Sequence, residues 1–271
     1  MNKQKKEDLE MYFKPVLYVV ILILVLGLVW IIWKYLQNNF EIKQKILLEK
    51  QEKQRILREK KQAELKAKKE YENYIKNLDL ESDDSITKFV NNKVSFNNIW
   101  YIPKNLVPVS WKHIIDGKWW YIKVRKVLKE NLEKMAKDFY SDTNNNLVIV
   151  SGYRSYVYQK WIKDRGCPDN LCAKPGYSEH QSWLAIDIYS ASSKKNWANN
   201  NNLKKYFYWF KQNAYKYGFT NTYQKWIKVD GYEIEPWHWR YVGKKFAKYL
   251  WENKITEAEF YYKRLEKKSS F

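Results

Sequence analysis

Residues 178–187 read SEHQSWLAID, and residues 235–238 read EPWH. The whole chain has three histidines, and these two short segments hold two of them, each with a carboxylate nearby in sequence. His180, Asp187 and His238 together would make a three-ligand set for zinc that leaves one coordination position open for water. The pattern therefore predicts a metal site that supports hydrolysis.

Glu235 opens the second segment and could take a proton from a metal-bound water. Pro236 fixes the backbone direction after it, so a turn that enters a strand would let Glu235 and His238 reach one cleft. Two alternatives stay open at this point. The same ligand types also suit non-haem iron, and histidines beside carboxylates are common in polar networks that hold no metal.

The residues around Asp187 alternate as they do in a short β-strand. Leu184, Ile186 and Ile188 share one face, while Ala185 and Asp187 share the other. We therefore expect Asp187 to point away from the apolar side and to line a cleft.

A second strand is predicted after the EPWH segment. Alternation places Trp237, Trp239 and Tyr241 on one face and His238 and Arg240 on the other. The second histidine is therefore also expected to point away from the aromatic side of its strand.

These segments belong to a longer ordered series that resembles the VanY-type zinc D-alanyl-D-alanine carboxypeptidases, which trim peptidoglycan stem peptides. The resemblance covers roughly residues 95–250, and short motifs gain specificity when several occur in the expected order. The series reads SGYRS at 151–155, PGYSEHQ at 175–181, LAIDI at 184–188, YGF at 217–219, and GY at 231–232 followed by EPWHWRYVG at 235–243.

The resemblance implies one zinc ion per chain and a role for each polar residue of the motifs. The zinc ligands would be His180, Asp187 and His238. Glu235 would act as the general base and then as the general acid. Arg154 would polarise the scissile carbonyl and stabilise the oxyanion, which suits a permanently charged side chain.

The resemblance also implies how the substrate is held and which fold holds it. Arg154, Gln159 and Ser178 would contact the substrate, the last two through its terminal carboxylate. The fold class would be α+β, with a small antiparallel sheet that carries the metal ligands and helices packed against it.

The leading functional hypothesis is a zinc carboxypeptidase that removes the terminal D-Ala of peptidoglycan stem peptides. An L,D-carboxypeptidase that acts on tetrapeptide stems has the same motifs, because the choice between them depends on pocket shape. Two other classes stay open: a non-catalytic peptidoglycan-binding protein on the same fold, and a structural membrane protein. The sequence does not indicate an oligomeric state.

The chain is strongly basic, with 50 Lys and Arg against 30 Asp and Glu, a net charge of +20 and a pI near 9.6. Such a charge favours an anionic partner. The chain has no nucleic-acid motif, and its basic residues are spread along its length. We therefore expect an anionic membrane or cell-wall surface as the partner and no nucleic acid, with general solubility as the alternative.

An uncharged run covers residues 16–33, and Tyr35-Leu36 can extend it. This length predicts a transmembrane helix over 16–36, with interfacial aromatic residues near its end. A cleaved signal peptide is the alternative, although the run is long for one and no small-residue cleavage site follows. Residues 1–15 would be a cytoplasmic N-terminus. The substrate implied by the resemblance would then place the C-terminal domain outside the cytoplasmic membrane, on a single-pass anchor.

The rest of the chain divides into three predicted parts. Residues 37–84 are charged and favour one long helical spacer. Residues 85–250 would form the zinc carboxypeptidase domain, and residues 251–271 a basic C-terminal helix or tail. Helices are predicted over 156–164 and 203–217, and a further amphipathic helix is predicted to bury Val127, Leu128, Leu132, Met135, Ala136 and Phe139.

Two pairs of residues leave open questions. Cys167 and Cys172 could close a small disulfide loop at the lip of the cleft in an oxidising compartment, or remain free thiols. The family that the chain resembles usually has glycine at the position of Trp183 and often at that of Trp226, and glycine permits positive φ or close backbone approach. The chain has 14 Trp against 8 Gly. One hypothesis is that its organism reads the codon UGA as glycine, whereas the printed sequence has tryptophan at these codons.

Overall fold

The computed structural model describes residues 3–117, 122–189 and 194–269 of the 271-residue chain. The chain divides into two units, residues 1–70 and residues 71–271. The first unit is helical, and the second is an α+β domain.

The described residues of the first unit all belong to helix α1 (Lys3–Lys76). Residues 38–76 contain no glycine or proline and are rich in Lys, Glu, Gln and Leu, which are good helix formers. The apolar stretch near the N-terminus reaches a mean hydropathy of 3.0 and is not buried. The helix is long and apolar enough to cross a membrane, a property that an anchor and a signal sequence share.

Helix α1 ends earlier than the predicted spacer, which extended to residue 84. Ile75, Leu78 and Leu80 are between 6% and 7% exposed and pack against the C-terminal helices of the second unit. The segment contains few apolar residues and many charged ones. Its composition therefore did not indicate that the globular unit begins before residue 84.

The second unit contains two sheets of short strands. The strands are β1 (Leu106–Pro108), β2 (Ile114–Asp116), β3 (Lys123–Arg125), β4 (Leu147–Ser151), β5 (Ala185–Ile188), β6 (Phe219–Asn221) and β7 (His238–Tyr241). The larger sheet has the order β2-β4-β5-β7-β6, and the smaller pairs β1 with β3. The pair β2 and β4 is parallel and the other pairs are antiparallel. The α+β class is as predicted, and the strands that carry Asp187 and His238 are antiparallel.

Seven helices surround these sheets in the described part of the second unit. They are α2 (Lys126–Thr143), α3 (Tyr156–Asp164), α4 (Lys194–Asn199), α5 (Asn201–Asn213), α6 (Ile227–Asp230), α7 (Lys244–Asn253) and α8 (Glu257–Ser269). Helix α3 has the predicted bounds. The predicted helix over 203–217 is α5 followed by a 3-10 turn, which ends at Gly218 with φ of 90°.

One face of α2 packs on the larger sheet and forms the main core with α5. Five of the six predicted residues are buried: Leu128, Leu132, Met135, Ala136 and Phe139. Val127 is 45% exposed. It lies about a third of a turn from the centre of the buried stripe, because each residue advances the helix by about 100°.

A second hydrophobic cluster joins α7, α8 and the segment that follows α1. Ala258 and Phe260 of α8 are buried in it beside Phe246 and Leu250 of α7. The C-terminal residues are therefore part of the globular unit, whereas the sequence had suggested a separate basic segment over 251–271. Two helices form from Lys244 onward, and Lys254 with φ of 55° ends the first.

Candidate active site

The sheet places two of the predicted ligands side by side. Strands β5 and β7 pair antiparallel, and Asp187 lies opposite His238. The predicted faces are confirmed, since the main core contains Leu184, Ile186, Ile188, Trp239 and Tyr241. Asp187 and His238 therefore project from the other face of the sheet.

The third predicted ligand, His180, lies in a 3-10 turn (Glu179–Ser182) just before β5. The imidazole is 1% exposed. Its Nδ1 lies 2.6 Å from the carbonyl oxygen of Gly152. That carbonyl can only accept a hydrogen bond, so the proton of the neutral ring is on Nδ1 and Nε2 offers its lone pair.

The three side chains converge as a metal site requires. One donor atom from each of His180, Asp187 and His238 lies within 4.8 Å of the others. Nε2 of His180 lies 3.4 Å from Oδ2 of Asp187, and Nδ1 of His238 lies 3.0 Å from Oδ1. The buried Nε2 of His180 makes no hydrogen bond within the described part of the chain. A nitrogen of this kind, beside a carboxylate and a second imidazole, fits a zinc ion.

The other nitrogen of His238 points away from the ligand cluster. Nε2 lies 2.8 Å from Oε2 of Glu179, and the ring stacks on that of Tyr223 with centroids 4.7 Å apart. These contacts fix the ring so that Nδ1 faces Asp187.

The surroundings shift the pKa values of all three candidate ligands. Burial and the charge of Arg154 lower the pKa of His180 to about 4. Burial opposes the charged form of His238, but hydrogen bonds to Asp187 and Glu179 raise its pKa to about 10. Burial also opposes ionisation of Asp187, yet the adjacent imidazoles of His180 and His238 hold its pKa well below the usual value. The cluster thus contains an ionised carboxylate and a neutral imidazole.

Glu235 lies beside the cluster, as predicted. Its Oε2 is 4.0 Å from Nδ1 of His238, and its side chain is 15% exposed. The backbone turns tightly here, since the amide of His238 donates to the carbonyl of Glu235 at 3.1 Å. The side-chain amide of Asn221 donates to the carbonyls of both residues, at 2.8 and 2.7 Å. The turn therefore presents a second carboxylate at the edge of the ligand cluster.

Arg154 follows β4 and reaches the same cluster. Its Nη2 lies 3.8 Å from Oδ2 of Asp187, and its Nη1 donates to Oε1 of Gln159 at 3.3 Å. Gln159 was predicted to contact substrate directly, but it is fully buried and its amide donates to the carbonyl of Ala173. Gln159 therefore supports Arg154 from behind, because its position on α3 turns the side chain inward.

Ser178 precedes the turn that carries His180 and is 3% exposed. Its carbonyl accepts from the amide of Gln181 at 3.0 Å. Ser178 is thus two residues before the candidate ligand His180 in the chain, and its side chain has little accessible surface.

A cleft of about 770 Å³ opens beside Arg154. Residues of β4, α3 and the segment between them line it, with Trp183 at one wall. The ring of Trp183 packs on that of Tyr153 with centroids 4.0 Å apart. The cleft is large enough for a short peptide and carries a cation near the ligand cluster.

The two tryptophans at family glycine positions differ in backbone conformation. Trp183 has φ of 59° and lies in the left-handed region that favours glycine. Trp226 has φ of −116° and is 74% exposed. The backbone therefore supports a glycine requirement at residue 183 and gives no such support at residue 226.

Cys167 and Cys172 form a disulfide, the first of the two predicted alternatives. The loop that they close contacts the segment before Glu235, because the carbonyl of Asn170 accepts from the amide of Glu233 at 3.0 Å. The disulfide loop thus adjoins the turn that presents Glu235.

The sequence analysis missed the residues behind the ligands. Glu179, Thr222 and Arg240 are between 0% and 3% exposed and form a polar cluster beside His238. Two sequence signals could have indicated this cluster. Glu179 directly precedes the candidate ligand His180, and Arg240 is two residues after His238 and therefore lies on the same face of the strand.

The comparisons with known proteins agree with this geometry. Residues 121–244 match the VanY family, described as D-alanyl-D-alanine carboxypeptidase. The chain is 34% identical to YodJ of Bacillus subtilis (strain 168) over 219 aligned residues. The alignment covers 74% of this chain and 77% of that protein.

Solved structures give the same picture. The LdcB LD-carboxypeptidase is similar with a TM-score of 0.57 and 33% identity, over 66% of this chain and 86% of that one. The D,D-pentapeptidase VanY from a VanB-type resistance cassette, solved in complex with Zn(II), has a TM-score of 0.50 at 22% identity, over 65% of this chain and 98% of that one. The second likeness supports the fold.

Proposed function

Because the chain belongs to the VanY family of D-alanyl-D-alanine carboxypeptidases, we propose that it is a membrane-anchored zinc enzyme that removes the terminal D-Ala from peptidoglycan stem peptides. The observation that carries the proposal is the convergence of His180, Asp187 and His238, with Glu235 beside them. One zinc ion held by these three residues would supply a water molecule whose pKa is near 7.

Glu235 is proposed as the residue that moves protons. It would take a proton from the attacking water as the water oxygen bonds to the scissile carbonyl carbon. When the carbon–nitrogen bond breaks, Glu235 would donate that proton to the nitrogen of the departing D-Ala. Its position 4.0 Å from a candidate ligand atom and its partial exposure support both roles.

Arg154 is proposed as the residue that stabilises the negative charge that develops on the scissile carbonyl oxygen. Its guanidinium lies at the cleft beside Asp187 and would donate to the oxygen of the scissile carbonyl as that oxygen becomes negative. Gln159 would hold the guanidinium in place, and its amide and Ser178 stay proposed as contacts for the substrate's terminal carboxylate.

A second candidate function is an L,D-carboxypeptidase that acts on tetrapeptide stems. The likeness to the LdcB LD-carboxypeptidase supports it, since that structure combines 33% identity with 86% coverage. A non-catalytic peptidoglycan-binding protein is less well supported, because binding alone does not require three converging ligands with the Glu235 carboxylate beside them.

The test is hydrolysis of a synthetic stem pentapeptide and tetrapeptide by the full chain in detergent micelles. We expect release of D-Ala that stops on chelation and returns with added zinc. Preference for the pentapeptide supports the D,D activity, and preference for the tetrapeptide supports the L,D activity. Zinc binding without cleavage of either peptide would favour the peptidoglycan-binding alternative.

We also propose that the apolar part of α1 is a retained anchor and that the catalytic unit lies outside the cytoplasmic membrane. The length and hydropathy of the helix support this, and the charge of +20 suits an anionic membrane or wall surface. The mass of the mature protein tests it. A mass that lacks the first 30 or so residues would indicate a cleaved signal peptide.

A further inference from the structure

Glu179 is a buried carboxylate that the proposed reaction does not use. Its side chain has no exposed area. Oε2 accepts hydrogen bonds from Nε2 of His238 at 2.8 Å and from Oγ1 of Thr222 at 2.9 Å. Oε1 lies 3.4 Å from Nη1 of Arg240. A buried charge requires compensation of this kind, and here three partners supply it.

Arg240 is itself fixed from behind. It is fully buried on the same face of β7 as His238, and its Nη2 donates to the carbonyl of Lys88. Its Nε lies 3.6 Å from Oε2 of Glu257, the first residue of α8. Groups from α8 and from the segment before β1 therefore hold Arg240 in place, and Arg240 in turn pairs with the carboxylate of Glu179.

The chemistry of the contact decides which nitrogen of His238 carries the proton. An ionised carboxylate only accepts hydrogen bonds, so a neutral His238 must carry its proton on Nε2. The lone pair is then on Nδ1, which faces Asp187 at 3.0 Å. A carboxylate behind a ligating histidine also makes the imidazole more basic and fixes its orientation.

We propose that Glu179 is a positioning residue for the metal: it holds His238 as the Nε2-protonated ring and so presents Nδ1 as the ligand atom. The proposal rests on the proposed function, since it requires a metal at the three-ligand cluster.

The two candidate histidine ligands are supported differently. Nδ1 of His180 contacts the neutral carbonyl of Gly152, whereas Nε2 of His238 contacts a charged carboxylate. A charged acceptor forms the stronger hydrogen bond and adds negative potential at the metal. Removing the charge of Glu179 should therefore weaken the metal site while its three ligands remain in place.

Zinc affinity of the full chain in detergent micelles tests the role of Glu179. A chromophoric chelator competes for the metal, and the apo-protein melting temperature reports on folding. Glu179→Gln keeps the size of the side chain and removes its charge, and we expect the Kd for zinc to rise about 10- to 100-fold. Thr222→Val keeps the carboxylate and removes one supporting bond, so a rise of a few-fold is expected.

Glu259→Gln is the matched control. Glu259 is also a carboxylate in an ion pair, with Lys225, but it is one-third exposed and has no contact with His238 among those described. We expect its Kd for zinc to change less than about twofold. If Glu179→Gln lowers the melting temperature yet leaves the Kd within twofold, Glu179 has a structural role only and the proposal is overturned.

A measurement on the unaltered chain gives an independent answer. Only three histidines occur, so the imidazole nitrogens of ¹⁵N-histidine-labelled protein can be assigned individually. In the zinc-loaded chain we expect the proton of His238 on Nε2, and a proton on Nδ1 would overturn the proposal. If the unaltered chain binds no zinc, the proposed function fails as well. If zinc binds normally and only the Glu179 results disagree, the function stands without this inference.

Discussion

Helix α1 and the face of β7 both carry paired charges, but their surroundings differ. On α1, Arg55 lies 2.7 Å from Glu52 and 3.8 Å from Glu59, and all three side chains are more than half exposed. Beside β7, Glu179 and Arg240 lie 3.4 Å apart with no exposed area. Exposed pairs contribute about 0–1 kcal/mol, whereas removing one partner of a buried pair costs about 3–5 kcal/mol. The few buried charges therefore matter more than the many on the helix.

The largest expected effect is that of Glu235→Gln on hydrolysis. The amide keeps the shape of the side chain but cannot move a proton, so kcat should fall by about 10²- to 10⁴-fold. Glu233→Gln is the matched control two residues earlier, and steady-state release of D-Ala is the measurement. Equal activities of the two variants would remove Glu235 from the proposed reaction.

Arg240→Met should give the largest loss of stability. The change leaves the carboxylate of Glu179 buried without its cation and removes the guanidinium beside Glu257, so the free energy of unfolding should fall by about 3–5 kcal/mol. Thermal unfolding is the measurement, and a decrease of at least about 6 °C is expected. The control is Lys225→Met, which breaks a pair with Glu259 that is one-third exposed and should cost about 1 kcal/mol or less.

A dependence of stability on pH should follow from Glu257. Burial raises its pKa from 4.5 to about 8, although the charge of Arg240 opposes the change. Because the folded-state pKa is above the unfolded one, the stability that the protonated group contributes is complete below pH 4.5 and is lost as the pH rises through 8. The melting temperature of the chelator-treated chain should therefore fall relative to Glu257→Gln over this range. A difference between the two proteins that does not change with pH would contradict the prediction.

A smaller effect is expected from the backbone at residue 183. A residue with a Cβ at φ of 59° is strained by about 1–2 kcal/mol, and glycine is not. Trp183→Gly should therefore unfold at a higher temperature than Trp183→Ala, although both lose the ring that packs on Tyr153. At residue 226, with φ of −116°, the glycine variant should have no such advantage over the alanine variant.

The mass of the native peptide that contains residue 183 addresses the UGA hypothesis directly. Glycine at this position would agree with the left-handed backbone, and tryptophan would end the hypothesis.

The smallest effect is expected on α1. Glu52→Gln removes a carboxylate from an exposed pair, so the free energy of unfolding should change by less than about 0.5 kcal/mol and D-Ala release should not change. Denaturant unfolding and the peptide assay measure the two. A loss comparable with that of Arg240→Met would contradict the contrast between exposed and buried charge.

The predictable parts of the site were those with local signals. Alternation alone indicated that Asp187 and His238 face away from the core, and the structure confirms both. The polar residues behind His238 could not be predicted in this way, because they come together through contacts between segments that are distant in sequence. The contact between Glu257 and Arg240 is of this kind, and Glu257 lies beyond the segment that matches the family.

Two other features could not be predicted from the sequence, for a different physical reason. A motif reports a residue type and not the direction of its side chain, so the burial of Gln159 on α3 could not be predicted. The start of the globular unit was expected near residue 85. Apolar residues such as Ile75 and Leu78 lie among many charges, so their burial depends on packing partners near the C-terminus.

The alternation along β7 has a consequence for folding fidelity. If β7 paired with β5 one residue out of step, His238 and Arg240 would enter the apolar core, and Trp239 and Tyr241 would take their places. An uncompensated guanidinium in that core would cost several kcal/mol, so a misaligned sheet would not persist. His238 and Arg240 thus have two effects: they contribute to the candidate site, and they disfavour pairing of β7 with β5 in the wrong register.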